Sequence, residues 1–217
     1  MILKNFIVLE GIDGAGTSTQ LERLKSHLYK KRVFFTAEPT KSETGRFIRT
    51  ILKGDIKLNA TTIAYLFAAD RCEHLYGSYI GTKTEKQKDC GIVERTKSGE
   101  ICISDRYLFS SLAYQSPDCG IEIPRRLNKT FPLPEIVFYF IISPSISLKR
   151  ITNRDVTEIY EKQEFLEKTA REYERVFCEY EKEHPEINII RIDATQEPDK
   201  IEKIIWNEVS KLPIQEM

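Results

Sequence analysis

A glycine-rich turn between an apolar strand and a helical segment constrains the fold of this chain most strongly. The apolar run Asn5–Leu9 is followed by the sequence GIDGAG at positions 11–16, and a helical pattern begins at Thr19. Glycines let backbone N–H groups turn inward around an anion, and the positive end of the following helix faces the same anion. The turn therefore predicts a phosphate-binding loop, with a tight structural connection as the alternative.

The residues after the turn match the phosphate-loop pattern G-x-x-x-x-G-K-[ST] at all but one position. Ser18 stands where the pattern places its magnesium-binding hydroxyl, whereas Thr17 stands in place of the lysine. Since a glycine-rich turn without lysine is weak evidence by itself, the rest of the chain has to decide its role.

Short apolar runs alternate with segments of helical periodicity along the chain. The runs are nearly continuous, as expected for strands buried on both faces of a parallel sheet. The predicted strands are Asn5–Leu9, Val33–Thr36, Ile101–Ser104, Ile136–Ile142 and Ile187–Ile192. The predicted helices are Thr19–Lys30, Thr61–Tyr76, Glu164–Glu183 and Pro198–Leu212, with a short piece at Ile92–Lys97 inside a polar surface excursion, Gly77–Gly99. The alternation predicts an α/β fold with a five-stranded parallel sheet, helices on both faces and a ligand crevice at the carboxyl ends of the strands.

Length and charge limit the possible functions. A chain of 217 residues, 41% of them hydrophobic, predicts a single domain over 1–217. The formal net charge is zero, so we expect neither nucleic-acid binding nor attachment to an anionic membrane. The apolar run near the N-terminus is too short for a signal peptide or a membrane span. The five cysteines are widely spaced and form no C-x-x-C pair, which favours reduced thiols and a cytoplasmic location.

The opening EGIDGAGTSTQ resembles that of the thymidylate kinase family, and further blocks follow in that family's order from Phe6 to about Ile204. The resemblance implies a P-loop NTPase fold of the nucleoside-monophosphate kinase type, and magnesium-dependent transfer of a phosphoryl group from ATP to dTMP, giving dTDP. It implies that the ATP phosphates are bound by Gly11, Asp13, Gly14, Ala15, Gly16, Thr17, Ser18, Thr19 and Arg150, with Mg²⁺ held by Ser18 and Asp105. It also implies a homodimer.

Two blocks resemble the acceptor-binding segments of that family. Glu38-Pro39, followed by Gly45 and Arg49, is similar to the segment in which the arginine grips the 5′-phosphate of the acceptor. A guanidinium fork suits that task. The block FAADRCEH at residues 67–74 is similar to the family segment in which phenylalanine stacks on thymine and arginine reaches its O4 atom, which implies these roles for Phe67 and Arg71. His74 is interpreted as a structural residue.

A third block resembles the family pattern D-R-[YH]-x-x-S-x-x-A-Y-Q. Asp105 and Arg106 begin it, and the resemblance implies that Arg106 reaches between the donor and acceptor phosphates. Phosphoryl transfer depends mainly on positioning and on cations around the transition state, which suits these residue types. By the same resemblance, Asp13 neighbours the acceptor sugar and the metal, Ser111 and Gln115 line the base pocket, and Tyr114 packs where a ribose 2′-hydroxyl would project. The implied catalytic residues are Asp13, Asp105, Arg106 and Arg154.

The segment after the fourth predicted strand resembles the entry to a mobile lid, at about 150–162. One class of the family carries an arginine in the phosphate loop, where this chain has Ala15, and the other class supplies arginine from the lid. The resemblance therefore implies that Arg150 and Arg154 clamp the donor phosphates.

Two alternatives remain open at the level of sequence. One is a related kinase that acts on another nucleoside monophosphate or on a deoxynucleoside. The other is a noncatalytic nucleotide-binding protein, because Thr17 replaces the lysine of the phosphate loop.

Overall fold

The strands and helices of this chain alternate along most of its length. The computed structural model describes residues 1–77, 79–80, 87–88, 90–151, 160 and 162–216. The strands are β1 (Ile2–Gly11), β2 (Val33–Ala37), β3 (Tyr79–Ile80), β4 (Gln87–Lys88), β5 (Ile101–Asp105), β6 (Leu133–Ile141) and β7 (Asn188–Asp193). The helices are α1 (Thr17–His27), α2 (Glu43–Leu52), α3 (Ala60–Tyr76), α4 (Ile92–Lys97), α5 (Leu108–Cys119), α6 (Glu122–Asn128), α7 (Pro144–Ile151), α8 (Gln163–Glu183) and α9 (Pro198–Val209).

Five strands form a parallel sheet in the order β2-β5-β1-β6-β7. The five predicted strands are its members, so the predicted fold class is confirmed. In this sheet β1 is central, and Leu9 pairs with Asp105 of β5. Since parallel strands end at the same edge, the turn that follows β1 lies beside the residues that follow β2 and β5.

Helices cover both faces of the sheet. Successive side chains of a strand point to opposite faces, and the consecutive residues Phe6–Leu9 are all 0% exposed. On one of these faces α8 packs through an aromatic layer. Phe177 lies 5.0 Å from Phe109 of α5 and 4.4 Å from Tyr139 of β6, measured between ring centroids. This layer brings Tyr173, one turn earlier on α8, close to the end of β1.

Most bounds of the predicted elements lie close to those observed, although α1 begins two residues before the predicted Thr19. The sequence patterns did not predict four of the helices, α2, α5, α6 and α7. Within the predicted surface excursion, β3 and β4 pair as an antiparallel hairpin, and α4 has the predicted bounds.

Two further observations bear on the setting of the protein. All five cysteines are free thiols. In the part of the chain that the structure describes, no helix combines the length and the apolar content needed to cross a membrane.

Candidate active site

A cavity of about 520 Å³ opens at the carboxyl edge of the sheet. It is lined by the phosphate loop (residues 11–16), the first turn of α1, the ends of β2 and β5, and side chains from α2, α3 and α5. The predicted site residues in its lining are Asp13, Gly14, Gly16, Thr17, Ser18, Thr19, Glu38, Arg49, Phe67, Arg71, Asp105, Arg106, Tyr114 and Gln115. The fold therefore brings residues from four separate sequence blocks into one space.

The phosphate loop needs glycine at two positions for different reasons. Gly14 has a φ of 78°, and a β-carbon there would come within 2.7 Å of the carbonyl oxygen of Ser147. Gly16 caps α1 with a φ of 99°, and a β-carbon there would meet no atom of the described residues within 4 Å. Because the capping residue has no side chain, the first N–H groups of α1 are left to an anion.

A hydroxyl and a carboxylate meet beside the phosphate loop. Ser18 Oγ donates a hydrogen bond of 2.5 Å to Asp105 Oδ2. Asp105 Oδ1 is buried and has no hydrogen-bond partner among the described residues. Hard oxygen atoms of this kind are the ligands that Mg²⁺ prefers, and a nucleotide-bound Mg²⁺ takes its other ligands from phosphates and water. Among the described residues, no group of three or more acidic, histidine or cysteine side chains is arranged to hold a metal ion.

Arg106 lies at the junction of the phosphate loop and α5. Its backbone adopts a φ of 74°, which is uncommon outside glycine. Nη2 donates to Asp13 Oδ1 at 2.6 Å, and Nη1 donates to the Gly11 carbonyl at 2.8 Å. The guanidinium carbon also lies 5.1 Å from the ring centre of Tyr114. These contacts hold the guanidinium against the loop at the edge of the cavity.

The Tyr114 hydroxyl contacts Asp13 twice. It accepts a hydrogen bond from the Asp13 backbone N–H at 2.9 Å and donates one to Asp13 Oδ2 at 2.9 Å. Burial raises the pKa of this hydroxyl well above its ordinary value, so it remains a donor at every pH of interest. Tyr114 therefore fastens the phosphate loop to α5, a contact that the sequence did not predict.

The end of β2 and α3 are joined by a buried ionic cluster. Arg71 is fully buried, and its Nη2 donates to Glu38 Oε2 at 2.6 Å and to Ser111 Oγ at 3.0 Å. Its Nη1 donates to Asn128. His74 lies 2.9 Å from the other Glu38 oxygen, which agrees with its predicted structural role. The cluster fixes the guanidinium of Arg71, and its Nε has no hydrogen-bond partner among the described residues.

Three more of the predicted acceptor-binding residues reach the same cavity. Phe67 is half-buried on α3, one turn before Arg71. Arg49 of α2 donates to the carbonyl of Pro39. Gln115 is buried, and its Oε1 finds no partner within the described ranges. An aromatic face, a guanidinium and an unpaired amide oxygen are thus available to a ligand at this end.

Four predicted residues lie outside the cavity lining, namely Gly11, Ala15, Ser111 and Arg150. Arg150 contacts the backbone of the phosphate loop, where its Nη1 lies 3.4 Å from the Gly14 carbonyl, and its Nη2 donates to the Ala194 carbonyl at 3.0 Å. Arg154 and most of the predicted lid at 150–162 lie outside the described residues. Tyr160, which is described, lines the cavity and lies 5.7 Å from Tyr114 between ring centroids.

Sequence reasoning did not identify two buried carboxylates next to the site. Glu10 immediately precedes the phosphate loop and accepts hydrogen bonds from Ser110 and Tyr173. Asp70 accepts a hydrogen bond from the Thr40 backbone N–H, in the segment that leads into α2. Both residues lie inside sequence blocks that resemble the family. The signal that could have identified them is an acidic residue within an apolar strand or helix. Their partners could not be read from the sequence.

The comparisons with known proteins agree with one another. A family model described as thymidylate kinase matches residues 9–205. A putative thymidylate kinase of Treponema pallidum is 41% identical over 94% of each chain. A probable thymidylate kinase of Methanocaldococcus jannaschii is 38% identical over 90% of each chain. A thymidylate kinase of Leptospira borgpetersenii is 35% identical over 90% of this chain and 88% of its own.

A solved structure supports the fold. The thymidylate kinase from Candida albicans superposes with a TM-score of 0.71 over 95% of this chain and 91% of that chain, at 19% sequence identity. At this identity the likeness concerns the architecture alone.

Proposed function

This chain belongs to the thymidylate kinase family, and from that premise we propose that it transfers the γ-phosphoryl group of ATP to dTMP, giving dTDP and ADP. One observation carries the proposal. The phosphate loop and the pocket around Phe67 and Arg71 open into a single cavity, with Arg106 between them. A donor phosphate on the loop and an acceptor nucleotide in the pocket would thus meet at a cation.

At the end of the cavity formed by the phosphate loop, the phosphate groups of ATP would be bound by backbone N–H groups more than by side chains. The N–H groups of the loop and the first turn of α1 face the cavity, and Thr17 adds a hydroxyl but no charge. The α- and β-phosphates of ATP would occupy this position. Arg150 and, from the lid, Arg154 would add the cations that the loop lacks.

Mg²⁺ fits the pair of Ser18 and Asp105, because one buried oxygen of Asp105 has no hydrogen-bond partner in the part of the chain that the structure describes. When bound, the ion neutralises charge on the phosphate oxygens of ATP and helps to hold them in line. Asp105 is fixed at the end of β5, so its position does not depend on a mobile loop.

The acceptor end suits a pyrimidine monophosphate. The ring of Phe67 offers a stacking face for the base, and stacking of this kind is worth about 1–3 kcal/mol. Arg71, held by Glu38, and Gln115 would contact the polar edge of the base. Arg49 would bind the 5′-phosphate, since a guanidinium can bridge two of its oxygens.

Transfer then requires little covalent chemistry from the protein. An oxygen of the dTMP phosphate bonds to the γ-phosphorus while the bond from that phosphorus to the bridging oxygen of ADP breaks. Arg106 lies where it can contact both phosphates as negative charge spreads over the transferred group. Asp13 holds Arg106 from the side of the loop.

We also propose a homodimer and a cytoplasmic location. Phe47 of α2 and Tyr65 of α3 are 40% and 49% exposed, and large apolar side chains on neighbouring helices suit a contact between two copies. The five free thiols suit a reducing compartment. Light scattering of the purified protein tests the dimer, and a monomer across the working concentration range would reject it.

The proposed reaction is tested with ATP labelled in its γ-phosphate. With dTMP present, the label should appear in dTDP, at a rate that depends on added Mg²⁺. Label that appears only in free phosphate, or in no product, would reject the proposal.

A further inference from the structure

Glu10 is a buried carboxylate that the proposed reaction does not use directly. It ends the apolar part of β1 and is 0% exposed. Oε1 accepts hydrogen bonds from the backbone N–H groups of Tyr107 at 2.8 Å and Ser110 at 3.3 Å. Oε2 accepts from Ser110 Oγ at 2.6 Å and from the Tyr173 hydroxyl at 2.8 Å. A buried charge persists only when it is bonded in this way, so the whole arrangement is built around the carboxylate.

The same two hydroxyls lead to Arg106. Arg106 Nη1 lies 3.2 Å from Ser110 Oγ and 3.3 Å from the Tyr173 hydroxyl. A guanidinium is a donor only, so each hydroxyl must turn a lone pair toward it and its proton elsewhere. The two hydroxyls also lie 2.7 Å from each other, and either could donate to the other. The ionised Oε2 of Glu10 can receive both protons, which leaves both hydroxyl oxygens free to accept from Arg106.

The ionised carboxylate is the form that satisfies every member of this network. A protonated Glu10, or a glutamine in its place, would keep one oxygen for the two backbone N–H groups and present a donor at Oε2. That donor would bond to one of the hydroxyls, whose proton would then turn toward the other hydroxyl or toward Arg106. At least one hydroxyl would then no longer be free to accept from Arg106.

We propose that ionised Glu10 is a positioning residue for phosphoryl transfer, which fixes the Arg106 guanidinium at the edge of the cavity through the hydroxyls of Ser110 and Tyr173. The inference rests on the proposed function, because it takes Arg106 as the arginine between the two phosphates.

The charges around Glu10 make its ionisation relevant near neutral pH. Arg106 and Tyr107 face it from the segment after β5, Tyr173 faces it from α8, and Asp13 and Tyr114 contact Arg106 from the loop and α5. On β6, Tyr139 stacks on Tyr173. Burial raises the pKa of Glu10 to about 7, although its hydrogen bonds and Arg106 oppose the shift. The ionised, positioning form therefore gains population as the pH rises through about 7.

The test compares the wild-type chain with Glu10→Gln by measuring kcat and the KM values for ATP and dTMP from about pH 6 to about pH 9. At high pH the variant should lose about 10- to 100-fold in kcat, as expected of a misplaced catalytic group, with both KM values unchanged. The ratio of wild-type to variant kcat should rise with pH through about 7. Substrate phosphates titrate in both proteins, so they cancel in this ratio.

A second set of variants separates positioning from general support of the fold. Ser110→Ala/Tyr173→Phe removes both hydroxyls, and adding Glu10→Gln to that background should cost little further activity, because the path to Arg106 is already broken. If Glu10→Gln leaves kcat and its pH profile unchanged, or costs as much without the hydroxyls as with them, the inference is overturned.

Two outcomes keep the test decisive. If Glu10→Gln does not fold, Tyr173→Phe replaces it, since that variant loses one hydroxyl from a ring that stays packed. It should lower kcat with unchanged KM values, and an unchanged kcat would overturn the inference. An inactive wild-type protein would overturn the proposed function and this inference together, whereas an active wild type with an equally active variant would overturn only the latter.

Discussion

Asp13 connects the phosphate loop to Tyr114 and to Arg106, which its position in the loop motif does not predict. Its backbone N–H and its carboxylate both bond to the Tyr114 hydroxyl, and the carboxylate also accepts from Arg106. The conformation of the phosphate loop therefore depends on Tyr114, a side chain that the family resemblance places beside the acceptor sugar. Removal of the Tyr114 hydroxyl oxygen tests this link between the donor and acceptor sides of the cavity.

Tyr114→Phe should lower kcat for dTMP by about 10-fold or more, because Asp13, which holds Arg106, loses both of its bonds to the hydroxyl and a small displacement of a catalytic group has a large effect on rate. Steady-state kinetics would measure the loss. Tyr29→Phe is the matched control, since Tyr29 is 73% exposed and lies away from the cavity. An unchanged kcat in Tyr114→Phe would mean that the loop keeps its shape without this contact.

Phe67→Ala should weaken dTMP binding by about 1–3 kcal/mol while leaving ATP binding unchanged, because only the acceptor base is expected on that ring. Calorimetric titration with each nucleotide separates the two effects. Tyr29→Ala removes an exposed aromatic ring and should change neither. Equal losses for both nucleotides would remove Phe67 from the base pocket.

Glu10 should also lower the stability of the protein at high pH. Its pKa is raised from 4.5 to about 7 on folding, so the folded state binds the extra proton, and the stabilisation present below about 4.5 is lost as the pH rises through about 7. The difference between these pKa values corresponds to about 3 kcal/mol. In urea unfolding, the free energy of unfolding should fall as the pH rises through about 7 in the wild type and should not show this fall in Glu10→Gln. Parallel pH profiles would contradict the burial of an ionisable Glu10.

Residues with local roles were predictable from the sequence, and residues with distant partners were not. Ser18 lies in the first turn of α1 and Asp105 ends β5, which are positions where a phosphate loop and a strand end have defined tasks. Glu10, by contrast, depends on Tyr173, which is separated from it by 163 positions. No pattern in the sequence specifies such a pair.

Among the elements, the missed helix α5 shows what periodicity cannot detect. Its buried residues include Leu108, Phe109, Ser111, Ala113 and Tyr114, which point in all directions around the helix. A helix buried on every side has no polar stripe, so its sequence lacks the alternation that identifies a surface helix. α4 and α8 are amphipathic or bounded by turn residues, and their bounds were predicted within one residue.

The strand β6 illustrates a second limit. The sequence predicts that it begins at Ile136, whereas it begins at Leu133 and includes Pro134. Proline has no N–H to donate and normally ends a strand. Here Pro134 pairs with Leu3, just before the register of β1 shifts, so the loss of one donor falls at an irregularity.

Asp70 controls the segment that leads into α2. It accepts hydrogen bonds from the Thr40 backbone N–H at 2.8 Å, Thr40 Oγ1 at 2.6 Å, Ser42 Oγ at 3.0 Å and Thr44 Oγ1 at 2.9 Å. Ser42 also caps α2, which carries Arg49. One carboxylate of α3 thus positions the helix that presents the predicted phosphate ligand.

Asp70→Ala should raise the KM for dTMP by about 10-fold or more, because several buried hydroxyl and N–H groups lose their acceptor and α2 loses its anchor. The KM for ATP should remain unchanged, since the hydrogen bonds of Asp70 among the described residues go to the segment before α2 and not to the phosphate loop. Glu73→Gln, an exposed position one turn further on α3, is the control. Equal changes in both KM values would show a general loss of structure instead.

For the whole molecule, the sequence predicted the class of the sheet but not its strand order. The number of strands, their parallel direction and the placement of the cavity follow from alternating apolar runs and from the rule that ligands bind at the carboxyl ends of such strands. The position of β5 between β1 and β2 depends on long-range contacts that no local pattern specifies. That order puts Asp105 beside Ser18 and makes the site one cavity.

The proposed reaction has to proceed with a neutral residue at position 17, where the phosphate-loop pattern has lysine. Thr17 is 6% exposed and lines the cavity, but it cannot offset charge on the transferring oxygens. Losing one preorganised donor to a transition state can slow an enzyme by about 10²- to 10³-fold, so other cations must act in its place. Arg106 is held by Asp13 and the Gly11 carbonyl at the edge of the cavity, and we propose that it supplies this charge together with Arg154 of the lid.

The most direct test of the central claim measures ADP formation from ATP across a panel of nucleoside monophosphates, with Mg²⁺ present, for the wild type and Thr17→Lys. The account predicts that the wild type is active, that dTMP has the highest kcat/KM of the panel, and that Thr17→Lys has activity similar to or above that of the wild type. A wild type that binds ATP and dTMP but forms no ADP until Thr17 is replaced by lysine would contradict it, as would a clear preference for another monophosphate.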